Sequence, residues 1–478
     1  MKLGAWLGNT RLETRWAFLF FLLMVVAFGL RSPFLSKGHE DEYHTIGRSM
    51  QMLYTGDLNP HSFVYPTGPM YFTAVADVLA LASISRDVGG SLGSGASPLG
   101  LIRKAQPNPL LLSLYKTQNV DKTWDHFRYQ VRIIHLLLIP LMMGLLYYIA
   151  VRTALYLPAF GAGLLLAFCS ANIQDSIYVS VNSLTGFMCL LAVAWMVFCS
   201  ALPAPKGIFS WLLRIAGLAF LIGMGTACKY NAGIFVLLPL LYGWMTMHDH
   251  GTGVAWTPEK AVLLCGVTGL FLLLGFTLLC PYWFKELPLF LQDVLYEVWH
   301  YKVGHASYNT FEPGLQMAWI NLQCLADQTS WLGLITTGLC MGYLAYAGFL
   351  RMEEYRQIRT VLLPVLFASA AFFVMMSTQA VFFSRNFSIL WPGWFLCCTA
   401  SWWFASGLLA QRCGWAHPAR IQTLFTMAVL LVCVLKAGLI DPAWFGDSRQ
   451  WWRKNDEVLT ALRYWLSSPP EPSHYRMF

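Results

Sequence analysis

Three carboxylates and two imidazoles stand together at His39, Glu40, Asp41, Glu42 and His44, directly after the first hydrophobic run. Only 12% of the chain is charged, so the cluster is out of character with its surroundings. Such groups can bind a divalent metal, cap a surface helix or take up a proton. His39 and His44 do not share a helical face, unlike the histidines of a zinc-binding HExxH helix. A divalent metal held by His39, Glu40, Asp41 and His44 is therefore the lesser reading. Solvated acidic groups at a helix N-terminus are favourable on their own account. What points to chemistry is crowding at an apolar boundary: neighbouring carboxylates and desolvation both raise carboxylate proton affinity. A carboxylate so placed can draw the proton from a hydroxyl.

The elements that must hold this cluster are hydrophobic. The chain has 478 residues, 57% of them hydrophobic, with mean hydropathy +0.52; soluble domains carry about 45–50% apolar and about 25% charged residues. The fold class expected is an all-α polytopic membrane protein. Apolar runs near 16–30, 131–151, 157–174, 183–202, 213–229, 231–247, 260–281, 331–350, 360–380, 386–409 and 421–438 predict about eleven transmembrane helices. The first is a retained helix rather than a signal peptide, since no small-residue cleavage site follows it. It is short for a span, so Arg31 is expected to snorkel outward while Phe34 and Leu35 extend it. The net charge of +8 lies mostly in short connections, which excludes a basic nucleic-acid groove. Nearly all twelve cysteines fall inside apolar runs and read as small buried hydrophobes; a Cys280–Cys324 bridge is the one pairing worth checking.

Loop charge sets the orientation. With a cytoplasmic N-terminus, the inner connections hold Arg152, Lys206, Arg214, Lys260, Arg351, Arg356, Arg359, Arg412 and Arg420, as the positive-inside rule requires. Residues 1–440 then form one transmembrane unit, with outer loops at 31–130 and 283–330 and a short outer tail at 441–478. The expected location is the plasma (inner) membrane, with the cluster on the periplasmic or outer face. In the first loop, Ile46, Met50, Leu53 and Tyr54 predict an amphipathic helix on the membrane surface, stopped by Gly56. A second surface helix is predicted over 70–85. The second loop, rich in aromatic and polar groups, suits an interfacial helix. Apart from Asp175, Lys229 and Lys436, the spans are almost free of charge. A charge at mid-membrane costs at least roughly 2.5–3.5 kcal/mol, so the site belongs at one membrane face.

Asp41-Glu42, an aromatic residue, a surface helix, Gly56-Asp-Leu-Asn-Pro60 and Phe63-Val-Tyr-Pro66 follow the first span in that order. The order resembles membrane glycosyltransferases of the GT-C fold, and closest among them family 39, with its protein O-mannosyltransferases and lipid A aminoarabinose transferases. The segments around Gly223–Asn231, Glu297–His305 and Ser384–Pro392 resemble later parts of the same family. The resemblance implies transfer of a sugar from a polyprenyl-phosphate donor lipid to an acceptor hydroxyl on a protein, lipid or glycan, with inversion. Asp41 is then the general base, with Glu42 supporting it. Lys229 and Arg385 are the cations for the donor phosphate. His44, His61, Tyr65, Asn182, His300, Lys302 and His305 are the lesser candidates for sugar or acceptor contacts. No cofactor is required, with a divalent metal the minor possibility already noted.

One position departs from the resemblance. Many relatives carry an acid in the loop after the third helix, where this chain has Asn182. The competing readings are a lipid-linked glycan flippase or other transporter, and a polysaccharide ligase or polymerase. A transporter predicts polar residues along a path through the membrane and often inverted repeats, and neither is visible in the sequence.

Overall fold

Long apolar runs in hydrocarbon must satisfy their backbone N–H and C=O groups internally, and this chain does so with helices. The computed structural model describes residues 3–32, 35, 42–87, 120–203, 205, 207–249, 257–304, 310–347 and 355–438. Its elements are α1 (Leu3–Gly29), α2 (Arg48–Thr55), α3 (Gly68–Asp87), α4 (Val120–Leu136), α5 (Leu138–Thr153), α6 (Tyr156–Phe168), α7 (Ser170–Ser176), α8 (Val181–Ala201) and α9 (Ile208–Thr226). They continue with α10 (Leu237–Asp249), α11 (Pro258–Leu279), α12 (Leu287–Val303), α13 (Leu315–Thr329), α14 (Trp331–Tyr346), α15 (Arg356–Ser377), α16 (Trp391–Arg412) and α17 (Pro418–Gly438). Among the described residues, nine helical stretches are long and apolar enough to cross a membrane. The bent pair α6–α7 gives a tenth, and α14 is apolar but only 16 residues long. All eleven expected runs are helical, but two are not plain full-length spans.

The bend explains one of these and overturns an expectation. α6 stops at Cys169, whose backbone is extended, and α7 resumes at a 65° angle. The break strips the last carbonyls of α6 of their helical partners. Arg31, which was expected to snorkel outward, is instead fully buried and fills the gap. Its Nη1 donates to the carbonyls of Ala27 (2.8 Å) and Ala167 (3.1 Å), and its Nη2 to Leu166 O (3.1 Å) and Asn172 Oδ1 (2.8 Å). Its Nε donates to Ser176 Oγ at 2.7 Å, so every N–H of the guanidinium is used. On the other side of the break, Gln328 Oε1 of α13 accepts from Ala171 N (3.3 Å) and Ser170 Oγ (2.9 Å). A cation at the C-terminus of one half-helix and an oxygen at the N-terminus of the next both complement the helix-end charges.

The described part of the segment between α1 and α4 is packed, not spread on a surface. A π-helical turn, Tyr43–Gly47, leads into α2. Ile46, Met50 and Leu53 are buried against Ala76, Leu81, Phe127 and Val131, as the periodicity predicts. The residues expected to face water, Thr45, Arg48, Ser49 and Gln51, are buried as well. Ser49 pairs with the buried carboxyl of Asp77 on α3. Burial pushes that carboxyl well above the usual carboxylate range. α2 is therefore a helix enclosed by the loop's other elements. Gly56 ends it as predicted, at φ 73° with its N–H on Met52 O at 3.0 Å.

Glu42 ties this loop to the bundle. Arg132 of α4 grips it with Nε on Oε1 (2.8 Å) and Nη2 on Oε2 (2.5 Å), and Val179 N donates to Oε1 at 2.9 Å. Burial by itself would raise its pKa. The Arg132 charge and hydrogen bonds, the Val179 N–H and the Arg128 charge outweigh this and hold it below the usual value. Elsewhere, backbones meet at two glycines of neighbouring helices. A Cβ on Gly223 would lie 2.1 Å from Leu272 O, and one on Gly275 2.1 Å from Phe220 O, so α9 and α11 touch without side chains between them. Cys280 and Cys324 are both buried and free, which removes the disulfide considered from sequence.

Two outcomes follow from these clamps. Arg31→Met should cost at least about 3 kcal/mol, because four carbonyl or side-chain acceptors and Ser176 lose a charged donor together; Arg31→Lys should fall between, having fewer donors. Thermal unfolding in detergent reads both. Glu42→Gln leaves Arg132 buried without its anion and should cost about 3–5 kcal/mol. Since folding depresses the Glu42 pKa, its contribution is present above the unfolded value and lost as pH falls through the folded one. The wild-type unfolding temperature should therefore drop more steeply below about pH 4.5 than that of the Gln variant.

Candidate functional site

The site is built where three segments leave regular helix at the same end of the bundle. α9 unwinds after Thr226, Lys229 is extended (φ −157°, ψ 124°), and a 3-10 turn, Tyr230–Val236, follows. α8 begins at Val181 with Ser180 as its cap, so Asn182 sits in the first turn. A second 3-10 turn, Ser384–Ile389, precedes α16 and carries Arg385 and Asn386. Lys229 Nζ donates to Asn182 Oδ1 at 2.6 Å and to Asn386 Oδ1 at 2.7 Å. All three side chains are buried.

Behind them lies a carboxylate that the sequence reading had noted only as an in-span charge. Asp175, near the end of α7, accepts from Tyr178 Oη at 3.1 Å, from Asn182 Nδ2 at 3.5 Å and from the Ser388 hydroxyl. Its main-chain carbonyl takes the hydroxyls of Ser180 (3.2 Å) and Ser183 (3.3 Å). Lys229 and Arg385 both act on it electrostatically. The Arg385 guanidinium also lies 4.6 Å above the Phe383 ring. A carboxylate seven positions earlier thus stands against Asn182. Asn386, Ser388 and Tyr301 were missed as members. Asn386 and Ser388 adjoin Arg385, a residue already singled out, and Tyr301 lies between the singled-out His300 and Lys302.

A second polar group joins the turn after α2 to the segment just before α12. Asp57 leads a tight turn in which His61 takes up φ 48°. His61 Nε2 lies 2.9 Å from Asp57 Oδ2, and Nδ1 lies 2.6 Å from Glu286 Oε1 just before α12. Asn59 Nδ2 also donates to Glu286 Oε1, at 2.6 Å. Burial opposes the charge on Asp57, but the Asn59 N–H and His61 hold its carboxyl below the usual range. The chain then runs toward the lysine segment: Phe63 N donates to Asp293 Oδ2 (2.6 Å), Tyr230 Oη to Phe63 O (2.6 Å) and Gly68 N to Ala227 O (2.9 Å).

The remaining candidates are placed as follows. His44 and Tyr65 pack together with ring centroids 5.0 Å apart. His300 stacks near Tyr301 (4.7 Å) and lies 3.5 Å from Glu297 Oε2. Lys302 is exposed at the end of α12. Glu42 has both oxygens engaged by Arg132 and Val179, so its geometry suits holding the loop rather than reacting. Asp41 and His305, with His39 and Glu40, lie outside the described residues. Among the described residues no group of three or more His, Cys, Asp or Glu is arranged to hold a metal.

His61→Leu removes both carboxylate contacts at once. Hydrogen–deuterium exchange should then rise in residues 283–290 and stay unchanged in α8 and α16; unchanged exchange throughout would show that His61 does not hold the two loops together. No protein-family model, curated protein or solved structure matches the chain.

Proposed function

We propose that the protein is a membrane glycosyltransferase that moves a sugar from a polyprenyl-phosphate donor to an acceptor hydroxyl, at the outer (periplasmic) face of the inner membrane. The observation that carries this reading is the meeting of Lys229 and Arg385, chosen from sequence as phosphate cations, around one buried network. Two cations close to the ends of apolar helices suit an anion joined to a hydrocarbon chain. In the proposed step, Asp41 takes the proton of the acceptor hydroxyl and its oxygen attacks the anomeric carbon. The bond from that carbon to the phosphate oxygen breaks, and the polyprenyl phosphate leaves with the electron pair. The charge that grows on it is met by Lys229 and Arg385.

The placement of the charges weighs against a transporter. Asn182 stands at the start of α8, Lys229 just past α9 and Asn386 just before α16, all at helix ends. A transport path needs such groups near mid-span. The broken helix α6–α7 has its freed backbone filled by Arg31 and Gln328, leaving it no part in a path.

Purified protein given a labelled polyprenyl-phosphate sugar and a membrane extract as acceptor source should transfer the label. Asp41→Asn should abolish transfer while leaving the unfolding temperature unchanged; undiminished transfer would remove Asp41 as the base. Lys229→Ala and Arg385→Ala should each lower kcat/KM by roughly 10²–10³, the range found for removing a preorganised charge donor. Unaltered donor use in both would sink the phosphate assignment.

A further inference from the structure

A helix on a protein surface in water turns its charges outward and its apolar residues inward; α12 does the reverse. No residue of this helix is fully buried, so it is held on one side only. Helical spacing puts Phe290, Asp293, Glu297 and Tyr301 on the half of its circumference that is partly covered. There Asp293 Oδ2 accepts from Phe63 N at 2.6 Å, and Phe290 joins Phe63, Phe276 and Trp283 in an aromatic cluster. The other half carries Leu287, Leu291, Leu295, Val298, Trp299 and Val303, each between 41% and 65% exposed. Lys302 is the one charged residue on that half. A contiguous apolar surface of this kind marks contact with a partner or with a membrane.

Two observations point to lipid as what covers it. The exposed apolar surface continues from α11, which is long and apolar enough to span and whose Leu270, Leu274 and Leu278 are 54%, 47% and 58% exposed, through Phe284 (54%) in the turn between the two helices. Both ends of α12 are also pinned where spans end. Its first turn packs on Phe276, close to the end of α11, and in its last turn Tyr301 O accepts from Ala380 N at 2.7 Å, just past the end of α15. Thr67 Oγ1 donates to Leu279 O (2.7 Å) and Gly68 N to Ala227 O (2.9 Å), which sets the ends of α11 and α9 side by side. A helix fastened at both ends to the ends of spans runs along that end of the bundle rather than away from it. We propose that α12 is a membrane-binding element whose outward half lies among bilayer lipid, at the boundary of headgroups and acyl chains. Its leucines and valines then meet acyl chains, Trp299 sits at headgroup level, and Lys302 extends to the lipid phosphates. The inward placing of Asp293 and Glu297 has the same cause, since a carboxylate turned to hydrocarbon would lose its solvation. On the inward half the Tyr301 hydroxyl lies 3.2 Å from Asn386 Nδ2, so this helix stands directly against the Lys229 network. The placement holds whether or not Lys229 binds a phosphate.

Cys265 in α11 and Cys413 beyond α16 are exposed, and the remaining cysteines are buried, so a thiol-reactive fluorophore can be confined to one position at a time. Three full-length proteins suffice: one labelled at Leu295→Cys with Cys265 and Cys413 both changed to Ala, one labelled at Cys265 alone as the reference within a span, and one at Cys413 alone as the reference in water. Each is placed in bilayer discs of phosphatidylcholine and phosphatidylglycerol, open to solution on both faces. Quenching is then read with aqueous iodide and with lipids carrying a nitroxide either near the headgroup or near the chain end. Iodide quenching at position 295 should fall about 3-fold or more below that at Cys413, and the nitroxide near the headgroup should quench position 295 more strongly than the one near the chain end. Iodide quenching equal to that at Cys413 would put the helix in water and overturn the proposal. Protection from iodide and from both nitroxides would show the face covered by protein, such as a second copy of this chain, and would overturn it as well. Stronger quenching by the chain-end nitroxide, in the pattern of a label deep within a span, would rule out the interfacial placement.

Discussion

A guanidinium buried in a broken helix is the constraint on which the rest of this structure depends. A span that stops and restarts at an angle leaves carbonyls without partners inside protein, where each costs about 1–3 kcal/mol if unmet. Arg31 meets two such carbonyls, in Leu166 and Ala167, and in the same gesture grips Asn172 and Ser176 on the far side of the break. The cost of burying its charge is offset because all its donors are used. The angle of α7 follows from this, and with it the position of Asp175, which shares that short helix with Asn172 and Ser176.

From Asp175 outward the network is a sequence of directed contacts rather than a patch of charge. The carboxylate fixes Asn182, Asn182 and Asn386 hold Lys229, and Tyr301 brings in α12. Both amide oxygens face an ammonium that can only donate, and the Asn182 nitrogen faces a carboxylate that can only accept. Polar networks of this kind favour one arrangement when every member is satisfied. The proposed phosphate site therefore draws its geometry from four distant stretches of sequence, around residues 175, 229, 301 and 386.

Much of the architecture was legible in the sequence because hydropathy is a local signal. All eleven apolar runs are helical, and Gly56 stops its helix with the left-handed backbone that a glycine there implies. Lys229, Arg385 and Asn182 could be chosen because they stand at span ends, where polar residues are rare. The failures share a physical cause. Arg31 reads as a snorkelling residue because all of its partners but Ala27 lie 135 to 145 positions away and belong to a helix whose break has no proline to announce it. α2 shows the amphipathic spacing of a surface helix, yet its polar face is covered by the rest of the loop, with Ser49 turned to Asp77 28 residues on. Periodicity tells which face is apolar but not what covers the other one. Asp175 stood out as a charge in a span, but its role depends on Ser388, 213 residues later.

Irregular backbone close to a membrane survives only where protein encloses it, and here it occurs three times at one end of the bundle: at Cys169, around Lys229 and over Ser384–Ile389. A straight helix carries its side chains outward from a cylinder and points few of them at a common spot. Unwinding frees the chain to turn a lysine inward, set an arginine beside a phenylalanine and bring an asparagine within reach of both Lys229 and Tyr301. The stability lost in those turns is recovered by clamps that lie just outside them, Arg31 with Gln328 on one side and Glu42 with Arg132 on the other. Such a division separates the residues that hold the fold, Arg31 and Glu42 with Arg132, from Lys229 and Arg385 beside Asp175, the groups proposed to meet a ligand.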